Sequence, residues 1–479
     1  MSIFDSSGSK STQVAVQIPR LNLFTMFRLG LFQMGQSMMF ILTLGVLNRV
    51  MIQELAIPAT IVAATLAIPL FVSPSRIWFG QMSDTKSLFG FHRTSYIWVG
   101  AAVFALAAFM SLQVVWQLGN VVQANGSWVW TIQTCGWIGL LSLTFALYGM
   151  ALSASFTAFT ALLVDVSQED NRSKLIGIVW SMLMLGVIVG AILSGVLLEN
   201  LTIETPLATL QASINRLFII VPAIAFGLAV LGTVGVEKKY SKYSSRSTLA
   251  DREDSITLVK ALKILTSSRA NRVFFSFLVL MTIGFFMQDP VMEPYAGQIF
   301  DMPLSESTKL NAYSGVGTLI ILGITGFLIV PRLGKRRTAQ LGCVLVAICV
   351  GLICLSGFTA NPTLLKVALF LFGLATGIAT TGALSLMLDL TVAEAAGTYT
   401  GAWGLGQAMA RGIAMVVGGA ALDVGRSLFA DSMLAYGLVF ALEALALVMA
   451  VRLLSRVDVA EFRTSAKQSL ASVLESELD

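Results

Sequence analysis

The segment Glu237-Lys-Lys-Tyr-Ser-Lys-Tyr-Ser-Ser-Arg-Ser247 begins the longest polar stretch inside this chain, which ends at Arg272 and divides an otherwise apolar sequence into two halves. Of the 479 residues, 56% are hydrophobic and 12% are charged, whereas about a quarter of the residues of a soluble domain are charged. Apolar runs of about 20 residues, long enough to cross a bilayer as a helix, recur on both sides. The sequence therefore predicts an all-α integral membrane protein.

Twelve transmembrane helices are predicted, six on each side of the polar stretch. The first six cover residues 24–48, 57–80, 95–118, 134–164, 174–198 and 215–236, and the last six cover 272–299, 309–331, 338–358, 363–390, 398–422 and 432–454. The predicted domains are a tail (1–23), an N-terminal half (24–236), a linker (237–271), a C-terminal half (272–454) and a second tail (455–479). Apolar residues near helical spacing between Ile256 and Leu265 predict a short basic helix at the lipid headgroups, or a docking helix for a partner.

The basic residues predict the orientation of the chain in the membrane. If the N-terminus is cytoplasmic, 25 of the 31 lysine and arginine residues lie on the cytoplasmic side, five lie outside, and Arg411 lies within a span. Cytoplasmic loops carry an excess of lysine and arginine. An even number of spans then places both termini in the cytoplasm.

The two halves resemble copies of one another. Three residues of the N-terminal half recur in the C-terminal half at one offset of 224 residues, which places span four on span ten and span five on span eleven. The pairs are Gly149 with Gly373, Asp165 with Asp389, and Gly177 with Gly401. Parallel repeats related by an axis along the membrane normal are typical of the major facilitator superfamily. We therefore expect the fold of that superfamily, with two six-helix pseudo-repeats.

The loop between spans two and three resembles the cytoplasmic loop motif of the major facilitator superfamily. It has a glycine, an acid four residues later and a following basic residue, which are Gly80, Asp84 and Arg93. We expect the glycine to let helices approach closely, the acid to meet the positive end of a helix, and the arginine to pair with acids. The alternative is a plain turn. The predicted cytoplasmic latch comprises Arg76, Gly80, Ser83, Asp84, Arg93, Asp165, Arg172 and Asp389.

Span seven contains Gln288-Asp289-Pro290-Val-Met-Glu293-Pro294-Tyr295. Asp289 and Glu293 are four residues apart, so a continuous helix would place them on one face. Ionisable residues at membrane depth are functional candidates by default. The alternative is an interfacial turn near the outer end of the span, where solvent wets both acids.

Further polar residues fall inside the later spans. Arg411 in span eleven and Glu443 in span twelve are deep enough that an ion pair between them would offset most of the cost of burial, so we expect that pair. It is either structural or a contact for substrate. The predicted cavity or cargo residues are Gln288, Asp289, Glu293, Tyr295, Gln407, Arg411 and Glu443.

The sequence contains no recognisable catalytic or metal-binding motif. The four cysteines lie within apolar segments without a Cys-x-x-Cys pair, and the one histidine, His92, lies in the loop after span two. A solvated loop residue is one interpretation of His92, and a ligand for a tetrapyrrole metal is the other. Walker, metalloprotease and nucleophile-elbow motifs do not occur. We therefore expect neither an enzyme nor a metal site, and the charge distribution gives no reason to expect a nucleic-acid partner.

Three motifs together resemble the PucC-type family, also called the bacteriochlorophyll synthase large-chain or light-harvesting assembly family. They are Arg76-x-x-x-Gly80-x-x-Ser83-Asp84, Gln288-Asp289-x-x-x-Glu293-Pro294-Tyr295 and Trp403-Gly404-x-x-Gln407. This resemblance implies a protein of phototrophs that assembles pigment–protein complexes and delivers chlorophyll or bacteriochlorophyll as bound cargo. It also implies antenna or photosystem polypeptides and pigment-synthesis proteins as partners.

Two functions remain open from the sequence. The first is an assembly factor for light-harvesting or photosystem complexes, in a thylakoid, intracytoplasmic or bacterial inner membrane. The second is a proton-coupled secondary transporter of a small or amphipathic solute, in which Asp289, Glu293 or Glu443 carries the proton.

Overall fold

The computed structural model describes residues 20–201, 205–241, 269–389 and 396–456. Both predicted tails lie largely outside these ranges, as does the predicted linker helix between Ile256 and Leu265. Within the described residues the secondary structure is helical, apart from one isolated bridge between Leu88 and Phe91. The all-α prediction is confirmed.

The helices are numbered in chain order, and α2 and α3 belong to one candidate span, Ala59–Thr85. The N-terminal half contains α1 (Leu23–Glu54), α2 (Ala59–Phe71), α3 (Ser75–Thr85), α4 (Thr94–Ala124), α5 (Ile132–Val166), α6 (Glu169–Leu197), α7 (Leu207–Thr233) and α8 (Val236–Tyr240). The C-terminal half contains α9 (Arg269–Phe286), α10 (Met292–Phe300), α11 (Leu304–Leu333), α12 (Lys335–Phe358), α13 (Pro362–Asp389), α14 (Ala396–Leu428) and α15 (Ser432–Leu454).

Eleven helical segments among the described residues are long and apolar enough to cross a membrane. The predicted seventh span, 272–299, is instead divided into α9 and α10, and its apolar part, Arg272–Phe286, is shorter than the other eleven segments. The structure thus shows an integral membrane protein, while the count of twelve and the cytoplasmic position of the termini stay predictions.

The break in span seven follows from its prolines. Residues 287–291 form turns between α9 and α10. Pro290 cannot donate a backbone hydrogen bond, and it disfavours helical geometry at Asp289, the residue before it. Pro294 lies in the first turn of α10, where a missing donor costs little. The prediction that Asp289 and Glu293 share one face of a continuous helix is therefore wrong, because the helix is interrupted between them.

Two long helix pairs form the main packing between the halves among the described residues. In one pair α2 packs against α14, and in the other α6 packs against α11. Within the halves, α4 packs on α5 and α12 packs on α13. This arrangement leaves α1 and the broken span seven near the centre, where residues of both halves meet.

The repeated glycines Gly149 and Gly373 have the same structural role in the two halves. A Cβ atom on Gly149 would lie 2.6 Å from the Cα atom of Pro69 in α2. A Cβ atom on Gly373 would overlap the carbonyl oxygen of Ser314 in α11. Gly177, which belongs to the same repeat, has open space where a Cβ atom would be added. The repeat therefore preserves two close helix crossings.

We expect Gly149→Ala and Gly373→Ala each to lower the free energy of unfolding by about 1–3 kcal/mol, because overpacking forces backbone shifts. Gly177→Ala is the matched control and should change little. The measurement is the thermal unfolding midpoint of the purified protein in detergent. Equal midpoints for all three variants would contradict the close crossings.

Candidate functional site

The predicted latch residues of the N-terminal half meet around Arg93, immediately before α4. The Nε atom of Arg93 lies 3.0 Å from Asp165 Oδ2, and its Nη2 atom lies 2.5 Å from Asp84 Oδ1. Its Nη1 atom donates a hydrogen bond of 2.6 Å to Ser83 Oγ. Burial alone would lower the pKa of Arg93, but the two carboxylates outweigh burial and hold that pKa above its ordinary value. The network ties the loop after α3 to the end of α5.

Glu237 is a member of this network that the sequence analysis missed. Its carboxylate accepts hydrogen bonds from the backbone N–H groups of His92, Arg93 and Thr94, the shortest being 2.7 Å from Thr94. A carboxylate at a helix N-terminus is stabilised by the unpaired N–H groups and by the helix dipole. Glu237 is therefore the acid that meets the positive end of α4. The sequence offered one signal for this role, which is that Glu237 is the first acid after Gly235.

The remaining latch residues behave differently. Arg76 lies over the ring of Phe156, with 5.0 Å from its Cζ atom to the ring centroid. Gly80 is not required for close packing, because a Cβ atom there would make an ordinary 3.5 Å contact with Thr157. The prediction that Gly80 lets helices approach closely is therefore wrong. Arg172 donates a 3.1 Å hydrogen bond from Nε to Ser167 Oγ. The side chain of Asp389 lies outside the described residues.

The centre of the molecule contains an ion pair between Asp289 and Arg411. The Nη2 atom of Arg411 lies 2.8 Å from Asp289 Oδ2. The guanidinium of Arg411 also lies over two rings, 4.1 Å from the centroid of Phe286 and 4.8 Å from that of Phe40. Phe40 belongs to the N-terminal half and the other three residues to the C-terminal half. The predicted pair of Arg411 with Glu443 is wrong, because the break in span seven brings Asp289 to the guanidinium instead.

Glu443 lies in α15 and is completely buried, with 0% of its surface exposed. Neither of its carboxyl oxygens has a hydrogen-bond partner within the described part of the chain. Burying an ionised carboxylate without a partner costs several kcal/mol or more. Glu443 is therefore a buried ionisable group that fold stability alone does not explain.

The interpretation of a solvent-wetted interfacial turn is wrong for Glu293, which is 3% exposed, whereas the Asp289 side chain is 19% exposed and pairs with Arg411. Glu293 accepts a 2.7 Å hydrogen bond from Asn311 Nδ2, and its second oxygen has no hydrogen-bond partner among the described residues. Gln288 is buried as well. The hydroxyl of Tyr295 donates to the carbonyl of Ile353 at 2.8 Å, which gives Tyr295 a packing role. In contrast, Gln407 is exposed one helical turn before Arg411.

A second buried arginine, Arg49, was not predicted as a site residue. The sequence analysis ended span one at residue 48 and counted Arg49 among the outer residues, whereas α1 continues to Glu54. Arg49 is only 2% exposed. It donates to the hydroxyl of Ser307 and, at 2.6 Å, to the carbonyl of Met302. Its position inside the apolar run from Ile41 to Ile52 was the signal that it is buried.

Among the described residues, no group of three histidine, cysteine, aspartate or glutamate residues could hold a metal ion. His92 contributes its backbone N–H to Glu237.

The two carboxylate partners of Arg93 differ in exposure, so we expect their removal to lower the stability of the protein by different amounts. The Asp165 side chain is 7% exposed and that of Asp84 is 58% exposed. Removing one partner of a buried pair costs about 3–5 kcal/mol, whereas an exposed pair contributes about 0–1 kcal/mol. We therefore expect Asp165→Asn to lower the thermal unfolding midpoint much more than Asp84→Asn. An equal loss from both variants would contradict the geometry of the network.

Comparison with known sequences identifies relatives over most of the chain. A family model described as PUCC protein matches residues 46–462. Protein PucC of Rhodobacter capsulatus is 31% identical over 439 residues, which cover 89% of this chain and 90% of the relative. The bacteriochlorophyll synthase 44.5 kDa chain of the same species is 30% identical over 437 residues, which cover 88% of this chain and 93% of the relative.

Solved structures share the fold. The nucleoside transporter NupG matches with a TM-score of 0.66 and 14% sequence identity, over 90% of this chain and 98% of the transporter. A peptide transporter, POT, in complex with sulfate matches with a TM-score of 0.62 and 14% identity, over 92% and 97% of the two chains. These likenesses show that the chain shares the fold of those two proteins. The chain belongs to the PucC protein family.

Proposed function

We propose that this protein is a membrane assembly factor for photosynthetic pigment–protein complexes, and that it binds or delivers chlorophyll or bacteriochlorophyll as cargo. Its proposed partners are antenna or photosystem polypeptides and pigment-synthesis proteins. Its proposed location is a thylakoid, intracytoplasmic or bacterial inner membrane. The names of two relatives, Protein PucC and a bacteriochlorophyll synthase chain, support a role in photosynthesis.

The observation that carries the proposal is the placement of Arg411 between Phe40 and Phe286. The charge of the arginine is already paired with Asp289, and aromatic rings from both halves lie around it. Small-molecule sites combine mostly apolar and aromatic surface with a few polar groups that fix orientation. A large planar amphipathic molecule such as a chlorin matches that combination better than a small ionic solute does.

The polar groups near this centre suggest how such a cargo would be oriented. Gln407 is exposed one turn from Arg411 and offers both a donor and an acceptor. A carbonyl oxygen of a pigment would accept from Gln407 while its ring lies against Phe40 or Phe286.

Purification of the tagged protein from its native phototroph membrane in mild detergent tests the proposal. We expect near-stoichiometric chlorophyll or bacteriochlorophyll in the absorption spectrum, with antenna or photosystem polypeptides enriched. Arg411→Ala should reduce the bound pigment about tenfold, which corresponds to about 1.4 kcal/mol and lies within the range of a desolvated cation–π contact. Arg216→Ala, at an exposed position, is the matched control. A colourless protein without partners would contradict the proposal.

The second candidate function is proton-coupled transport, and the burial of Glu443 favours it. Coupling requires an ionisable group inside the bundle, and such groups in membrane spans mark proton relays. The two hydrogen-bond-free oxygens of Glu443 leave its carboxyl group available for a proton.

Glu443→Gln separates the two functions. The substitution keeps the side-chain shape and removes the ionisable group, and it breaks no hydrogen bond of the described structure, so we expect the unfolding midpoint to change little. Under the assembly proposal, pigment and partner retention should match the wild type. Loss of proton-driven solute uptake in vesicles, with pigment binding absent from both proteins, would instead establish the transporter.

A further inference from the structure

The two halves are joined by side-chain hydrogen bonds at the end of the bundle opposite the predicted cytoplasmic face. We call this end the distal end, and it contains the end of α1, the start of α2, the break in span seven and the start of α11. Arg49 and Asn48 of the N-terminal half reach into the C-terminal half here. In the other direction, Asp423 of α14 accepts hydrogen bonds from Thr60 at the start of α2.

Arg49 occupies a pocket in the C-terminal half that is built for its guanidinium. The pocket supplies the hydroxyl of Ser307 and the carbonyl of Met302 as acceptors. Gly297 of α10 forms one wall, and a Cβ atom there would lie 2.7 Å from Arg49 Cζ. The absence of a side chain at Gly297 therefore provides the space in which the guanidinium lies.

Adjacent contacts join the same elements. Asn48 Nδ2 donates to the carbonyl of Pro290 at 2.9 Å, in the break of span seven. Thr308 Oγ1 donates to the carbonyl of Gly45 at 3.3 Å. Residues 45, 48 and 49 thus present one turn of α1 to both the broken span and the start of α11.

A buried arginine is costly to leave without acceptors. Among the described residues, both hydrogen-bond acceptors of Arg49 come from the opposite half, so separating the halves at this end would remove them together. The packing partners would separate as well, because the residues around Arg49 in α1 are fully buried. Closure of the distal end and burial of Arg49 are therefore a single event.

We infer that Arg49 is the interdomain lock of the distal end, and that this end opens only when the guanidinium leaves its pocket. This role is independent of which cargo the protein handles. It also assigns Gly297 as the residue that determines whether the lock can close.

Two substitutions release the lock by different routes. Arg49→Ala removes the guanidinium. Gly297→Ala keeps every charge and fills the pocket, and alanine is favourable in a helix. The matched controls are Arg216→Ala, which removes an exposed arginine of the same half, and Gly351→Ala, which adds a Cβ atom in open space on α12.

Pulsed electron–electron double resonance on full-length protein in nanodiscs measures the result. Spin labels at Gln123 and Thr363 report the distance between the halves at the distal end, and labels at Lys86 and Leu333 report it at the predicted cytoplasmic end. All four positions are exposed, and the exposed Cys135 is replaced by serine.

We expect the wild type to show one short distance population at the distal end. Arg49→Ala and Gly297→Ala should each raise the ratio of long to short distances about tenfold or more, a population shift of the size expected when one state loses a buried charged contact. Both controls should match the wild type. If Arg49→Ala does not fold, Gly297→Ala alone decides the outcome. Distal distances that stay unchanged in Gly297→Ala, or that lengthen equally in the controls, would overturn the lock.

Discussion

The ion pair between Asp289 and Arg411 is the interaction on which the arrangement of the centre depends. An arginine inside an apolar bundle needs a counter-charge, which Asp289 supplies from the turn that interrupts span seven. The same break at Pro290 exposes a backbone carbonyl that Asn48 of the other half uses. One local feature of the sequence thereby places an aromatic-lined centre between the halves and provides a point of attachment for the distal end.

The halves share helix crossings but use their charges differently. In the N-terminal half, Arg93, Asp165 and Glu237 are gathered at the helix ends, where they fix loops and cap α4. In the C-terminal half, Arg411 and Glu443 lie within α14 and α15, and Asp289 and Glu293 lie at the break of span seven. Arg49 is the exception in the N-terminal half, because it lies within α1 and reaches the C-terminal half.

Much of the fold was predictable because it depends on composition. The apolar segments, the polar linker and the glycines Gly149 and Gly373 are visible as patterns along the chain, and the Gln288–Tyr295 stretch was correctly selected as unusual. Partner identities were not predictable, because they depend on which helices meet in three dimensions. Asp289 lies 122 residues from Arg411 along the chain, and no periodicity distinguishes it from Glu443 as the partner. Arg49 was missed because a span boundary was placed one residue before it.

The measurement that tests the central ion pair most directly is a double-mutant cycle of Asp289→Asn and Arg411→Gln, read out as the free energy of unfolding in detergent. If the pair organises the centre, each single variant leaves a partly buried charge without its partner, and the double variant should be more stable than the sum of the single losses predicts. We expect a coupling energy of about 1–3 kcal/mol, as is found for residues in one buried network. Losses that add within about 0.5 kcal/mol would show that the two residues act independently and would contradict this account.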